Sequence, residues 1–237
     1  MTPTPGPTPI TVACLDMAGT TVADDGSVIA AFSAAVEQFG LPRGTPDYDR
    51  ALAYVQQTMG QSKIEVFRHI LGAEEAAQQA NGAFEEHYAA SVRAGAVAPL
   101  PGAEQTFAAL RGAGIKVCLA TGFSPATRDA LLDALGWRPL IDLALSPADV
   151  GRGRPWPDLP LTALIRLRGG SVGELAVVGD TPSDIESGLR AGAGLVAGVL
   201  TGAATRAELE AVAASTGLPG APLVLDSVAA LLPHLDG

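Results

Sequence analysis

The stretch ITVACLDMAGTT, residues 10–21, decides how the chain is read. Its first six residues are apolar and β-rich, too few for a helix, and they run into Asp16 and then Gly19, Thr20 and Thr21. This is the pattern of a buried strand in a parallel sheet, with polar residues just past its carboxyl end. Similar runs occur at residues 115–120, 175–178, 195–200 and 223–225. Helical periodicity fills the intervals at 102–111, 124–135, 159–167, 183–191 and 206–214. Such alternation predicts an α/β fold, a Rossmann-like parallel sheet covered on both faces.

One interval breaks the alternation. Residues 27–98 contain four helical patterns (28–39, 48–59, 63–71 and 74–92) and no strand-like run, and Pro99 and Pro101 mark the return. The expected organisation is a disordered tail over 1–9, a core domain over 10–22 and 99–237, and an inserted all-helical cap domain over 23–98.

Composition narrows the function. The 237 residues include 15 Lys or Arg and 25 Asp or Glu, a net charge of −10, with 48% hydrophobic and 17% charged residues. A chain this apolar folds, and one this acidic is a poor match for polyphosphate, so no nucleic-acid partner is expected. Cys14 and Cys118 each sit in an apolar run, as reduced, buried thiols of a cytoplasmic protein do. The longest uncharged internal stretch, residues 191–205, falls short of the roughly 18 apolar residues of a membrane span. The opening MTPTPGPTP has neither the basic residue nor the apolar core of a signal peptide, so no membrane partner is expected either.

In open α/β sheets, ligands bind at the carboxyl ends of the strands. Four polar segments converge there: Asp16 to Thr21, Thr121-Gly122-Phe123-Ser124, the loop Gly153-Arg154-Pro155, and Gly179-Asp180-Thr181-Pro182-Ser183-Asp184. Each has a local explanation. Asp16 suits a turn, Ser124 and Thr181 suit helix N-caps followed by proline, and Asp184 suits the third helical position. Jointly they offer more. Asp16, Asp180 and Asp184 supply the hard oxygens that Mg²⁺ prefers. Thr121, the backbone N–H groups after it and Arg154 can surround a phosphoryl group. A carboxylate left facing that group is a nucleophile.

In order and spacing, DMAGTT, Thr121, Arg154 and GDTPSD resemble the four motifs of the haloacid dehalogenase superfamily, and the helical insert resembles its cap domain. The resemblance implies a Mg²⁺-dependent hydrolase acting on a small phosphorylated or phosphonate substrate. By it, Asp16 is the nucleophile, the Ala18 carbonyl and Asp180 bind the cation with Asp184 in support, and Gly19, Thr20, Thr121, Gly122, Phe123 and Arg154 border the phosphoryl group.

Phosphatases of that superfamily carry a second aspartate two residues after the nucleophile, which protonates the leaving alcohol. Ala18 stands there instead, a handicap of about 10²–10⁴-fold for an ordinary phosphate ester. The cap offers an alternative. Ser62-x-x-Glu65 reads as a capping box starting a helix at Lys63. At 100° per residue, Lys63 then falls among Ile64, Phe67 and Ile70, away from Glu65, Arg68 and His69. Burial and the positive helix end both lower a lysine pKa, making the amine a usable nucleophile toward a carbonyl. A lysine snorkelling into water is the alternative reading of the same residue.

The DxAGTT start with Met59-Gly60 ahead of Lys63 resembles the phosphonoacetaldehyde hydrolase (phosphonatase) family of capped carbon–phosphorus hydrolases. That resemblance implies a Schiff base on Lys63, phosphoryl transfer to Asp16, Met59 and Gly60 beside the substrate, and a homodimer formed through the cap. Three places depart from it: Val66 where the family has a histidine, Phe123 where it has a tyrosine, and no cysteine at Gly26 or Ser27. The rival readings are a small-metabolite phosphomonoesterase resembling phosphoglycolate phosphatase, and a non-catalytic phosphate-binding module.

Overall fold

The computed structural model describes residues 8–235, so the expected tail lies almost wholly outside the described residues. Six parallel strands form one sheet: β1 (Val12–Asp16), β2 (Lys116–Ala120), β3 (Leu143–Leu145), β4 (Leu175–Gly179), β5 (Leu195–Val199) and β6 (Leu223–Leu225). Their order is β3-β2-β1-β4-β5-β6, which places β1 and β4 at the centre, where the order reverses. The sequence reading missed β3, whose three residues are too few to show a period; it is fixed by pairing Leu143 with Cys118 and Leu145 with Ala120.

Side chains alternate between the two faces of the sheet. Ala13, Leu15, Val117, Leu119, Ala176 and Val178 point to one side, under α5 (Ala103–Gly112) and α6 (Pro125–Leu135). There Phe107 meets Trp137 edge-on at 5.1 Å, and the indole N–H donates to Glu104 at 2.8 Å. Val12, Cys14, Cys118 and Val177 point to the other side, against Leu159, Ala163 and Leu164 of α7 (Asp158–Arg166). Cys14 and Cys118 face each other across β1 and β2 as free, buried thiols. Two further helices, α8 (Pro182–Ala191) and α9 (Arg206–Thr216), cover β4 and β5 on this side through Ile185, Leu189, Leu209 and Val212.

Four helices lie between β1 and α5: α1 (Ser27–Gln38), α2 (Pro46–Gln57), α3 (Lys63–Leu71) and α4 (Glu74–Arg93). They pack around Phe32, Phe67, Phe84 and Tyr88, all fully buried. The chain leaves and returns along two adjacent segments. Val22 pairs antiparallel with Pro99, the Ala23 N–H donates to the Ala98 carbonyl at 2.9 Å, and the Leu100 N–H donates to the Thr21 carbonyl at 2.9 Å. Among the described residues no helix is long and apolar enough to cross a membrane.

Candidate active site

The β1 strand ends at Asp16, which is 6% exposed, and the next turn is built by the chain folding back on itself. Thr20, Thr21 and Val22 all donate backbone N–H groups to the Met17 carbonyl, and the Thr21 hydroxyl donates to the Asp16 carbonyl at 2.8 Å. This turn fixes Asp16 at the sheet edge and leaves its carboxylate pointing at Arg154.

Arg154 is the charge centre of the site. Its Nη1 lies 2.7 Å from Asp16 Oδ1 and its Nε lies 2.7 Å from Asp184 Oδ1, with all three side chains buried. Nη2 donates to the Ala120 carbonyl at the end of β2 at 3.1 Å. Burial opposes the guanidinium charge, but Asp184 and Asp16 outweigh it and hold Arg154 firmly protonated. The other Asp184 oxygen accepts the Thr181 N–H at 3.1 Å, completing a capping box at the start of α8. Both Asp184 oxygens are thus engaged within the protein. Asp184, expected in support of the cation, pairs with Arg154 and caps α8.

Asp180 is a different case. Thr20 Oγ1 donates to its Oδ1 at 3.0 Å, and glycines lie against both flanks of its carboxylate. A Cβ on Gly19 would come within 2.5 Å of Asp180 Oδ2, and a Cβ on Gly202 would collide with the same oxygen. Thr20, expected beside the phosphoryl group, gives its hydroxyl to this carboxylate. Gly202 escaped the sequence reading, although a Thr-Gly pair directly after β5 was the signal available.

Burial pushes the Asp16 pKa up to about 7, against the pull of Arg154; Asp184 adds to the rise. Burial and then the charges of Asp16 and Asp184 push Asp180 up as well. Carboxylates crowded in this way are relieved by a cation between them. Among the described residues no three His, Cys, Asp or Glu side chains form a metal cluster by themselves. Two carboxylates with the Ala18 carbonyl and waters fit Mg²⁺, which keeps part of its hydration shell.

The four-helix insert supplies the far wall. Thr121 Oγ1 accepts the Phe123 N–H at 3.2 Å, shaping the loop after β2, and the Gly60 carbonyl is 3.4 Å from Arg154 Nη1. The helical insert and the loop after β2 touch here backbone to backbone. A Cβ on Gly122 would lie 2.9 Å from the Gly60 carbonyl oxygen and closer still to that of Gln61, while a Cβ on Gly60 would lie 2.5 Å from Thr181 Oγ1. A cavity of about 740 Å³ is lined by Ala18, Gly19, Asp180, Met59 and Asp24.

Lys63 opens α3 as expected, but the capping box at Ser62 does not form. Arg68 takes Glu65 in an ion pair on the outer face, and the Lys63 N–H donates instead to the Gly122 carbonyl at 3.4 Å. The side chain turns inward and is 6% exposed, with Nζ 5.1 Å from the Phe123 ring centre and 5.9 Å from that of Phe32. Its one hydrogen-bond partner among the described residues is the Gln61 carbonyl at 3.3 Å. Burial lowers its pKa; Asp16 pulls the other way and Arg154 adds to the fall. The inward placement excludes the snorkelling alternative. Residues 66 and 67 share the buried arc, whereas Ile64 and Ile70 are only partly covered.

A profile of haloacid dehalogenase-like hydrolases matches residues 10–192. The phosphonoacetaldehyde hydrolase of Syntrophobacter fumaroxidans is 30% identical over 227 residues, covering 87% of this chain and 79% of that protein. That of Parabacteroides distasonis is 29% identical over 196 residues, covering 75% and 71%. Among solved structures, a phosphonoacetaldehyde hydrolase-like protein from Oleispira antarctica superposes with a TM-score of 0.77 at 28% identity, covering 97% of this chain and 92% of that one. With the profile spanning most of the sequence and the sheet, turn and buried ion pairs arranged as described, the chain belongs to the haloacid dehalogenase-like hydrolase family.

Proposed function

We propose that this hydrolase cleaves the carbon–phosphorus bond of a small phosphonate with a carbonyl group next to the carbon bearing phosphorus, phosphonoacetaldehyde being the simplest. In this reading, residues 10–22 and 99–237 are the catalytic core and residues 23–98 the cap. The observation that carries it is Lys63: a buried amine of lowered pKa on the Phe123 ring, with Asp16 among its charge neighbours, in a site where Ala18 replaces a proton donor. The relatives named phosphonoacetaldehyde hydrolase support it.

The chemistry follows from these groups. Neutral Lys63 Nζ adds to the carbonyl carbon and water is lost, leaving a protonated imine. Asp16 then attacks phosphorus. The C–P electron pair flows into the iminium to give an enamine, so no alkoxide needs a proton. Water hydrolyses the aspartyl phosphate to inorganic phosphate, and protonation and hydrolysis of the enamine free Lys63 and the aldehyde. Arg154 holds the phosphoryl oxygens and offsets their charge, with Thr121 and the N–H groups of Gly122 and Phe123 beside it. A Mg²⁺ held by Asp16, the Ala18 carbonyl and Asp180 would supply further neutralisation of those oxygens.

Borohydride added during turnover of phosphonoacetaldehyde is expected to fix a two-carbon adduct on Lys63, found by peptide mass analysis. Phosphate release without such an adduct, with Lys63→Arg as active as the parent on phosphate esters, would overturn the proposal in favour of a phosphomonoesterase.

A further inference from the structure

Tyr88, in the last third of α4, is fully buried, and its hydroxyl has no hydrogen-bond partner among the described residues. Buried phenols ordinarily find one, because leaving the group unpaired forfeits its bonds to water. The ring itself is well packed. Its centre lies 4.5 Å from that of Phe123 and 6.1 Å from that of Phe84. Phe123 is also the ring over which Lys63 Nζ sits.

The helix geometry accounts for this placement. Glu85 and Tyr88 are three residues apart and share a face of α4. Glu85 binds that face to the loop after β2, accepting from the Ser124 N–H at 3.2 Å and its hydroxyl at 2.6 Å. Asp24 and Asp16 are the charge neighbours of the Tyr88 hydroxyl, and both are also charge neighbours of the Lys63 amine. The two polar groups are thus packed on one ring, that of Phe123. The rings about the amine, Phe32 and Phe123, donate nothing.

We propose that Tyr88 is a catalytic hydrogen-bond donor whose partner is the substrate: its O–H engages the carbonyl oxygen while Lys63 attacks the carbonyl carbon. The proposal rests on the Lys63 reading above. As the N–C bond forms, the carbonyl π pair moves to oxygen. Tyr88 passes its proton to that oxygen and recovers one from the nitrogen, so the phenol is unchanged at the carbinolamine. The oxygen then leaves as water, with one further proton from the medium, and the nitrogen lone pair completes the imine. Burial, then Asp24 and Asp16, raise the phenol pKa, which keeps it in the donating form.

Tyr88→Phe removes one oxygen and keeps the packing. Its melting temperature should equal or exceed that of the parent, since an unpaired buried group is lost. With phosphonoacetaldehyde, the rate of borohydride-trapped adduct formation at Lys63 should fall about tenfold or more, and kcat/KM for phosphate release with it. A parent-like trapping rate in Tyr88→Phe, with a clear adduct in the parent, overturns the role of Tyr88 alone. A marked loss of thermal stability also overturns it, by showing the hydroxyl paired in the free protein. Absence of the adduct in the parent removes the Lys63 reading and this proposal together.

Discussion

The backbone N–H of Lys63 donates to the carbonyl of Gly122 at 3.4 Å, so the first residue of α3 is tied to the loop that follows β2. The bond satisfies one of the donors a helix N-terminus leaves unpaired. It also makes the position of the amine depend on how closely the two backbones approach.

Gly122→Ala tests that dependence. Its new methyl group would press on the carbonyls of Gly60 and Gln61, and the cap loop carrying Lys63 must move away. Displacements near 1 Å in a reacting geometry cost about 10²-fold in rate. Turnover of phosphonoacetaldehyde should drop by that order, while unfolding in urea should show the core largely intact. Activity within a few-fold of the parent would mean that the close approach is not needed.

Much of this arrangement was legible in the sequence because strands and their polar ends announce themselves locally. Asp16, Thr121 and Asp180 each directly follow or end an apolar run, and the helical interval at residues 27–98 lacks any strand signal. What stayed hidden depends on contacts distant in sequence. Strand β3 exists through its pairing with β2, Ser62 makes no side-chain cap while Glu65 pairs with Arg68, and Asp184 turns to Arg154 thirty residues earlier. Tyr88 reads as an ordinary core position of α4; that its oxygen lacks a partner is visible only once Phe123 is packed against it.

The carboxylates make stability depend on pH in an unusual direction. Asp16 goes from an ordinary value of 3.8 in the unfolded chain to about 7 in the fold, and Asp180 shifts the same way. Between those values the folded protein binds more protons than the unfolded one, so metal-free stability should fall as pH rises from about 4 to 7. Asp16→Asn should flatten part of the slope, and millimolar Mg²⁺ should flatten it in the parent by favouring the anions. Urea midpoints at pH 4.5 and 7.5, with and without Mg²⁺, provide the check; a midpoint that climbs with pH in the metal-free parent contradicts the assignment.

Lys63 should trade stability for activity. Among the described residues its Nζ finds a single hydrogen-bond partner, a carbonyl at 3.3 Å, so a charge there is a poor return for losing water. Lys63→Met keeps the volume and removes the charge, so the free energy of unfolding should hold or rise by about 1 kcal/mol or more. Cleavage of the phosphonate should be abolished at the same time. A destabilised Lys63→Met would instead indicate that the ammonium is well satisfied in the folded state, and hence too strongly held as a cation to attack a carbonyl.

The proposed Mg²⁺ site can be probed without altering any of its proposed ligands. Gly202 follows β5 and has its Cα against the carboxylate of Asp180, where a methyl group has no room. The opposite flank is Gly19, which cannot yield readily, because its N–H donates to the Val22 carbonyl at 2.8 Å and its own carbonyl accepts from Thr201 at 2.7 Å. In Gly202→Ala the carboxylate must therefore swing, breaking the 3.0 Å bond from Thr20. Mg²⁺ affinity measured by calorimetry should weaken by about 10- to 100-fold, the range seen when groups that orient a metal ligand are disturbed. Because Arg154 keeps Asp16 and Asp184, phosphate alone should still bind. Unchanged Mg²⁺ binding in this variant would remove Asp180 from the coordination shell.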